Sequence, residues 1–176
     1  MEISVSLIKE LRELSAASIS DCKKVLVDAK GDIKKAMGLL RKRGLEKSAS
    51  KKDRASKEGR VDAYLHTGNK IGVLIEVDSE TDFVAKNEAF AQFTKDLAMQ
   101  IAACNPAYIK REDVPAELIE QDTDKDKELF YKNNCLLDQV FVKDPSMTVK
   151  DYLGSLVVKF NENIVIRRFI RYKIGE

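Results

Sequence analysis

Ile71-Gly72-Val73-Leu74-Ile75-Glu76-Val77-Asp78-Ser79-Glu80-Thr81-Asp82-Phe83-Val84-Ala85-Lys86-Asn87-Glu88 changes its pattern halfway along. Ile71, Val73, Ile75 and Val77 alternate as a half-buried strand does, and Glu76, Asp78, Glu80 and Asp82 take the opposite parity. The alternation predicts a strand over 71–78 whose tail points at water. Phe83 then stands among acidic residues, ahead of a helix predicted over 88–103 whose stripe of Phe90, Phe93, Leu97 and Ile101 already serves a core. Pattern alone favours burial of such a ring at a strand-to-helix corner, because large apolar side chains usually end inside. The other reading is a ring held outside its own fold. Asp82 also has two readings: an acid placed favourably at a helix start, or a carboxylate offered to a partner.

Upstream, Val61, Ala63 and Leu65 alternate, and His66-Thr67-Gly68-Asn69-Lys70 supplies turn chemistry, so 60–78 reads as an antiparallel hairpin. At the far end Ile166, Arg168, Ile170, Tyr172 and Ile174 share one parity, with arginines on both, as in a strand with a wet face or an edge position. Three strands packed on helices predict an α+β class. Between them Asn105-Pro106 ends the long helix. Residues 118–126 read as a short helix and an acidic surface loop, 128–137 as a helix and 141–145 as an extended turn. A last helix starts at Thr148 and breaks at Asn161-Glu162-Asn163.

The first 45 residues read as three short amphipathic helices. Ile3, Leu7, Leu11 and Leu14 form the first stripe, with Ser4 as cap; Ile19, Cys22, Leu26 and Ala29 form the second, with Ser18 and Asp21 as a capping pair and Gly31 as stop. Asp32 caps the third, which carries Ile33, Ala36, Met37 and Leu40, and Gly44 is the expected left-handed exit. Helices this short must bury their stripes on one another. Residues 46–59 continue a basic run with almost no large apolar side chains and read as a linker that is at most partly helical. A nucleic-acid contact is the rival reading of that run, weakened by the lack of aromatic residues to stack a base.

With 176 residues, 44% hydrophobic and 34% charged, the chain can bury a real core, and its net charge of +2 gives no bias toward nucleic acid or membrane. No apolar run approaches the ~20 residues of a spanning helix. The start, Met1-Glu2-Ile3-Ser4-Val5-Ser6, lacks signal and transit features, so a cytoplasmic address is expected. Cys22, Cys104 and Cys135 have no zinc-like spacing and read as small buried apolar residues. His66 has no visible ligand or catalytic partner and is expected at a strand end. No phosphate loop, metal cluster or activated nucleophile is visible, so an enzyme, a cofactor and a resident metal are not expected.

The first 45 residues resemble the ubiquitin-associated-like head of the elongation factor Ts family, chiefly in Asp21-Cys22-Lys23-Lys24-Val25-Leu26 and Gly31-Asp32-Ile33-Lys34-Lys35-Ala36-Met37. Arg60-Val61-Asp62-Ala63-Tyr64-Leu65-His66, Thr81-Asp82-Phe83-Val84-Ala85, Leu136-Leu137-Asp138-Gln139-Val140-Phe141 and Glu162-Asn163-Ile164-Val165-Ile166-Arg167-Arg168-Phe169 resemble that family's core, in order along the chain. Two features depart. The family's Thr-Gly-Ala-Gly loop, part of its docking surface, reads Ser15-Ala16-Ala17-Ser18 here, and residues 120–129 look trimmed. A second core subdomain and a coiled-coil protrusion, present in longer members, have no room.

The resemblance implies a head over 1–45, a basic linker over 46–59 and a core over 60–176. It implies a guanine-nucleotide exchange factor for elongation factor Tu, acting without covalent chemistry, with Thr81, Asp82, Phe83 and Val84 as the block that dislodges the partner's Mg²⁺. Ser18, Ile19, Asp21 and Cys22 are the expected head contacts. Short members of the family pair, so a homodimer through the sheet is expected. The alternative is an adaptor that uses the head alone to hold a ubiquitin-like or nascent-chain partner.

Overall fold

Periodicity along the chain resolves into eight helices and five strands among the residues that the computed structural model describes, 3–50, 54–120 and 127–176. The expected acidic loop at 121–126 and the linker residues 51–53 lie outside them. The chain divides into two units. One comprises Met1–Ala55 with Asp151–Ile164, the other Ser56–Lys150 with Val165–Glu176. The α+β class expected from the sequence is the class observed. Among the described residues no helix is long and apolar enough to cross a membrane.

In the first unit, α1 (Val5–Ser15) is capped by Ser4, whose Oγ accepts from the Leu7 amide at 3.3 Å. Ser18 caps α2 (Ile19–Asp28), accepting from the Asp21 amide at 3.0 Å, and Asp32 opens α3 (Ile33–Ser50), accepting from the Lys35 amide at 3.0 Å. Leu11, Cys22, Val25, Leu26, Ala36 and Leu40 are buried together. Two residues assigned to these stripes are outside. Leu14 and Ile19 are exposed, because Ala17, which is sealed, takes the inward place at the corner between α1 and α2.

Gly44 is not an exit. The third helix runs through it to Ser50, into the basic stretch, because a further helix, α8 (Val149–Phe160), passes so close that a Cβ at 44 would collide with the Gly154 carbonyl. The fit is reciprocal: a Cβ at Gly154 would stand 2.7 Å from the Arg41 carbonyl oxygen. Two glycines facing each other let the backbones meet, and Leu45 packs at the same crossing.

In the second unit, β1 (Glu58–Leu65), β2 (Ile71–Ser79) and β5 (Val165–Lys173) form an antiparallel sheet in the order β1-β2-β5. Its inner face packs on α5 (Glu88–Cys104), in which Phe90, Phe93, Leu97 and Ile101 are sealed as the stripe predicts. A short hairpin of β3 (Val140–Phe141) and β4 (Asp144–Thr148) replaces the extended turn. Gln100 on α5 holds it, donating to the Val140 carbonyl at 3.2 Å and accepting from the Val142 amide at 2.9 Å. Ala116–Glu120 forms α6, and the helix expected over 128–137, α7 (Lys127–Asn134), stops at Asn134, where the chain turns extended at Cys135 before a 3₁₀ turn at Leu136–Asp138.

The C-terminal strand does not keep one parity. Its register passes from Glu76↔Arg168 to Val77↔Ile166, leaving Arg167 as an extra residue. That bulge puts Ile166 inside and turns Ile170 and Tyr172 outward. It also lets Arg167 donate from Nε to Asp78 at 2.7 Å. The tail of β2 is accordingly not pointed at water: Asp78 and Ser79 are both buried. Cys22 and Cys135 are buried as expected, but Cys104 is exposed, since the last turn of α5 runs past its packed stripe. Burial pushes the Cys135 thiol up to about 11 and also raises that of Cys22.

Candidate functional site

The strand-to-helix corner is built as a single turn with one side chain left out. Beyond β2, Thr81 takes an extended conformation (φ −126°, ψ 152°) and caps a four-residue helix, α4 (Asp82–Ala85), its Oγ1 accepting from the Val84 amide at 3.4 Å. The Ala85 amide donates to the Thr81 carbonyl at 3.3 Å and the Lys86 amide to the Asp82 carbonyl at 3.0 Å. Asn87 then caps α5, its Oδ1 accepting from the Ala89 amide at 2.9 Å. Successive residues of a helix point about 100° apart, so the turn cannot bury all four side chains. Val84 and Ala85 go in, at 2% and 7% exposure, and Phe83 stays out at 73%. Of the two readings of this ring, the outward one holds.

Asp82 is outside as well. Lys86 Nζ donates to its Oδ2 at 2.7 Å, an i,i+4 pair with both side chains mostly in water. Lys86 holds the Asp82 carboxyl below its ordinary range, and Asp82 raises Lys86 in return. An exposed pair of this kind adds little stability. It keeps a charge beside the ring in a defined place. Thr81 is exposed and Val84 sealed, so of the four residues singled out from the sequence three face solvent and one anchors.

The head residues divide in the same way. Ser18 Oγ accepts from the Asp21 amide and donates to the Asp21 carboxylate at 2.9 Å, while Ile19 is exposed. Cys22 is fully buried, its Sγ 3.9 Å from the Ser15 hydroxyl. Leu14, counted toward the core in the sequence, stands out at the same corner, and a sequence stripe gave no sign of that. Ala16 holds φ 53° where the resembled loop has glycine.

The outer sheet face is a further feature that alternation alone understated. Val61, Leu65, Leu74, Ile170, Tyr172 and Ile174 are each between 45% and 74% exposed, and the register Leu74↔Ile170 and Gly72↔Tyr172 puts the last two strands' members side by side. The Arg168–Glu76 ion pair, at 2.6 Å, closes one end. His66 sits at the strand end, with Tyr64 Oη 3.1 Å from its Nδ1. Among the described residues no group of three or more His, Cys, Asp or Glu could hold a metal ion. What the corner can do chemically is enter something: an apolar ring, with a carboxylate at its base, on a turn anchored from behind.

The elongation factor TS family model matches the chain over residues 4–129 and 126–176. The two matched segments meet at the stretch that looks trimmed in the sequence. An elongation factor Ts from Thermoanaerobacter pseudethanolicus is 47% identical over 195 residues, spanning 99% of this chain and 96% of the relative. One from Caldanaerobacter subterraneus subsp. tengcongensis is 47% identical over 199 residues, spanning 99% and 98%. One from Geobacter sulfurreducens is 43% identical over 197 residues, spanning 100% and 91%.

Proposed function

The chain belongs to the elongation factor Ts family of translation elongation factors, and on that premise we propose that it is a guanine-nucleotide exchange factor for elongation factor Tu. The observation that carries the proposal is Phe83, held 73% exposed on a turn whose next two residues are sealed. A soluble fold gains nothing by leaving a phenylalanine in water. A fold that inserts it into another protein recovers that cost on binding.

In this proposal the ring and the Asp82 carboxylate enter the G domain of the partner and displace a loop that supports Mg²⁺ against the nucleotide phosphates. Mg²⁺ keeps few protein ligands at such sites and neutralises phosphate charge, so a small shift in its support weakens nucleotide binding. Thr81 and Val84 set the turn from which the two side chains reach. The head supplies a second hold on the same partner through Ser18, Ile19 and Asp21, with Cys22 supporting them from inside the three-helix core. No covalent step is involved: the protein acts by coupling two binding equilibria, and the coupling is reciprocal.

The outer sheet face, with six large apolar side chains in water, is assigned to a second copy of the chain, giving a homodimer with two rings to present. Light scattering then returns about twice the 19.9 kDa chain mass. A monomer mass removes the dimer and leaves the exchange proposal standing. The cytosol, where translation runs, is the proposed address.

Isothermal titration tests the coupling. The protein binds nucleotide-free elongation factor Tu, and saturating GDP with Mg²⁺ weakens that binding by the factor by which the protein weakens GDP. Equal affinity for the free and GDP-loaded partner refutes exchange and leaves only an adaptor.

A further inference from the structure

We infer that Ser79 is a positioning residue for Phe83: its buried hydroxyl pins the Thr81 carbonyl and so fixes the direction in which the ring leaves the fold. The functional half of this inference rests on the exchange reading above; the geometric half does not.

Ser79 ends β2 and is fully buried. A hydroxyl in such a place is destabilising unless it is bonded, and Ser79 Oγ donates to the Thr81 carbonyl at 3.0 Å. The helical bonds at Thr81 are longer, 3.3 Å from the Ala85 amide and 3.4 Å to Thr81 Oγ1 from the Val84 amide. A four-residue helix is far too short to hold itself together. Its orientation therefore draws on what surrounds it, and two of those fixings are Val84 and Ala85, buried on its far side, and the Ser79 bond at its start. Asp82 and Phe83 lie between these two fixings. Without the Ser79 bond the start of the turn loses the shortest of these three bonds, and the ring swings through a wider angle about Thr81.

The chemistry of the position points the same way. An alanine would satisfy burial at 79 without any bond, so burial alone does not call for serine. In Ser79→Ala the Thr81 carbonyl still accepts from the Ala85 amide, so no carbonyl is orphaned and the corner still folds. What is lost is direction.

The chain has no tryptophan, so Phe83→Trp places a single indole on the exposed turn. Time-resolved fluorescence anisotropy of that variant is compared with and without Ser79→Ala, and GDP release from elongation factor Tu is measured for Ser79→Ala on the Phe83 background. The expected result is a larger fast-motion amplitude for the indole, and a maximal release rate lower by about five-fold, the size of one net hydrogen bond. The half-saturating concentration moves by less than about two-fold, because the head contacts are intact. Ser79→Cys, which keeps a weak donor, falls between the two. Unchanged indole motion overturns the inference, as does a raised half-saturating concentration at an unchanged maximal rate. If the parent chain releases no GDP, the exchange reading fails, and the anisotropy comparison still decides whether Ser79 positions the ring.

Discussion

Replacing Phe83 by alanine removes the ring and leaves the turn that carries it. Full burial of a phenylalanine side chain is worth roughly 1.5–3 kcal/mol. Since Phe83 is 73% exposed in the free protein, the part still to be gained on insertion is roughly 1.1–2.2 kcal/mol. At about 1.4 kcal/mol per decade, that corresponds to a loss of about 6- to 40-fold in the coupling between this chain and the nucleotide. Val84, Ala85 and the caps at Thr81 and Asn87 do not depend on the ring, so circular dichroism and the melting temperature stay at the parent's values. The assay is stopped-flow release of a fluorescent GDP from purified elongation factor Tu at saturating protein. Phe83→Ala is expected to slow release about tenfold. Equal rates for variant and parent refute the reasoning, and a cooperative loss of structure shows that the ring had served its own fold.

Other perturbations probe the frame. Gly44→Ala drives a methyl into the Gly154 backbone, which cannot yield as a side-chain tip would; a loss of about 1–3 kcal/mol is expected in urea unfolding, and a neutral effect removes the tight crossing. Ala16→Gly relaxes a left-handed residue at φ 53°; it is expected to add about 0.5–1 kcal/mol and raise the melting temperature by about 1–4 °C. Desolvation raises the Asp62 carboxyl, but donation from Arg60 and Thr94 outweighs it and leaves the group below its ordinary value. A depressed carboxyl contributes stability above the unfolded value of about 3.9, which is lost as pH falls through the lower folded value. Asp62→Asn should therefore cost stability at pH 7, with the gap from the parent closing below about pH 4; a gap constant with pH contradicts this assignment.

The parts of the fold that repeat were legible in the sequence. The β1–β2 hairpin, the α5 stripe and the caps at Ser4, Ser18 and Asp32 follow from alternation, 3.6-residue spacing and short polar side chains, all of them local. What was not legible depends on partners far along the chain. The Arg167 bulge inverts the outward face of β5 and buries Asp78, and nothing within either strand announces it. Gly44 reads as a helix stop until Gly154, more than a hundred residues on, is seen against it. The hairpin of β3 and β4 is held by Gln100, about forty residues earlier. At the site, residue types marked the corner, but a single turn has no period from which to read the direction of Phe83. That direction is set by Val84 and Ala85 going inward and by the Ser79 bond to Thr81.

The most direct measurement is the rate at which elongation factor Tu, loaded with fluorescent GDP in millimolar Mg²⁺, releases it into excess unlabelled nucleotide as this chain is titrated in. The account predicts a rate that rises with concentration and saturates well above the spontaneous rate. A rate that stays at the spontaneous value, under conditions where the two proteins bind, contradicts it.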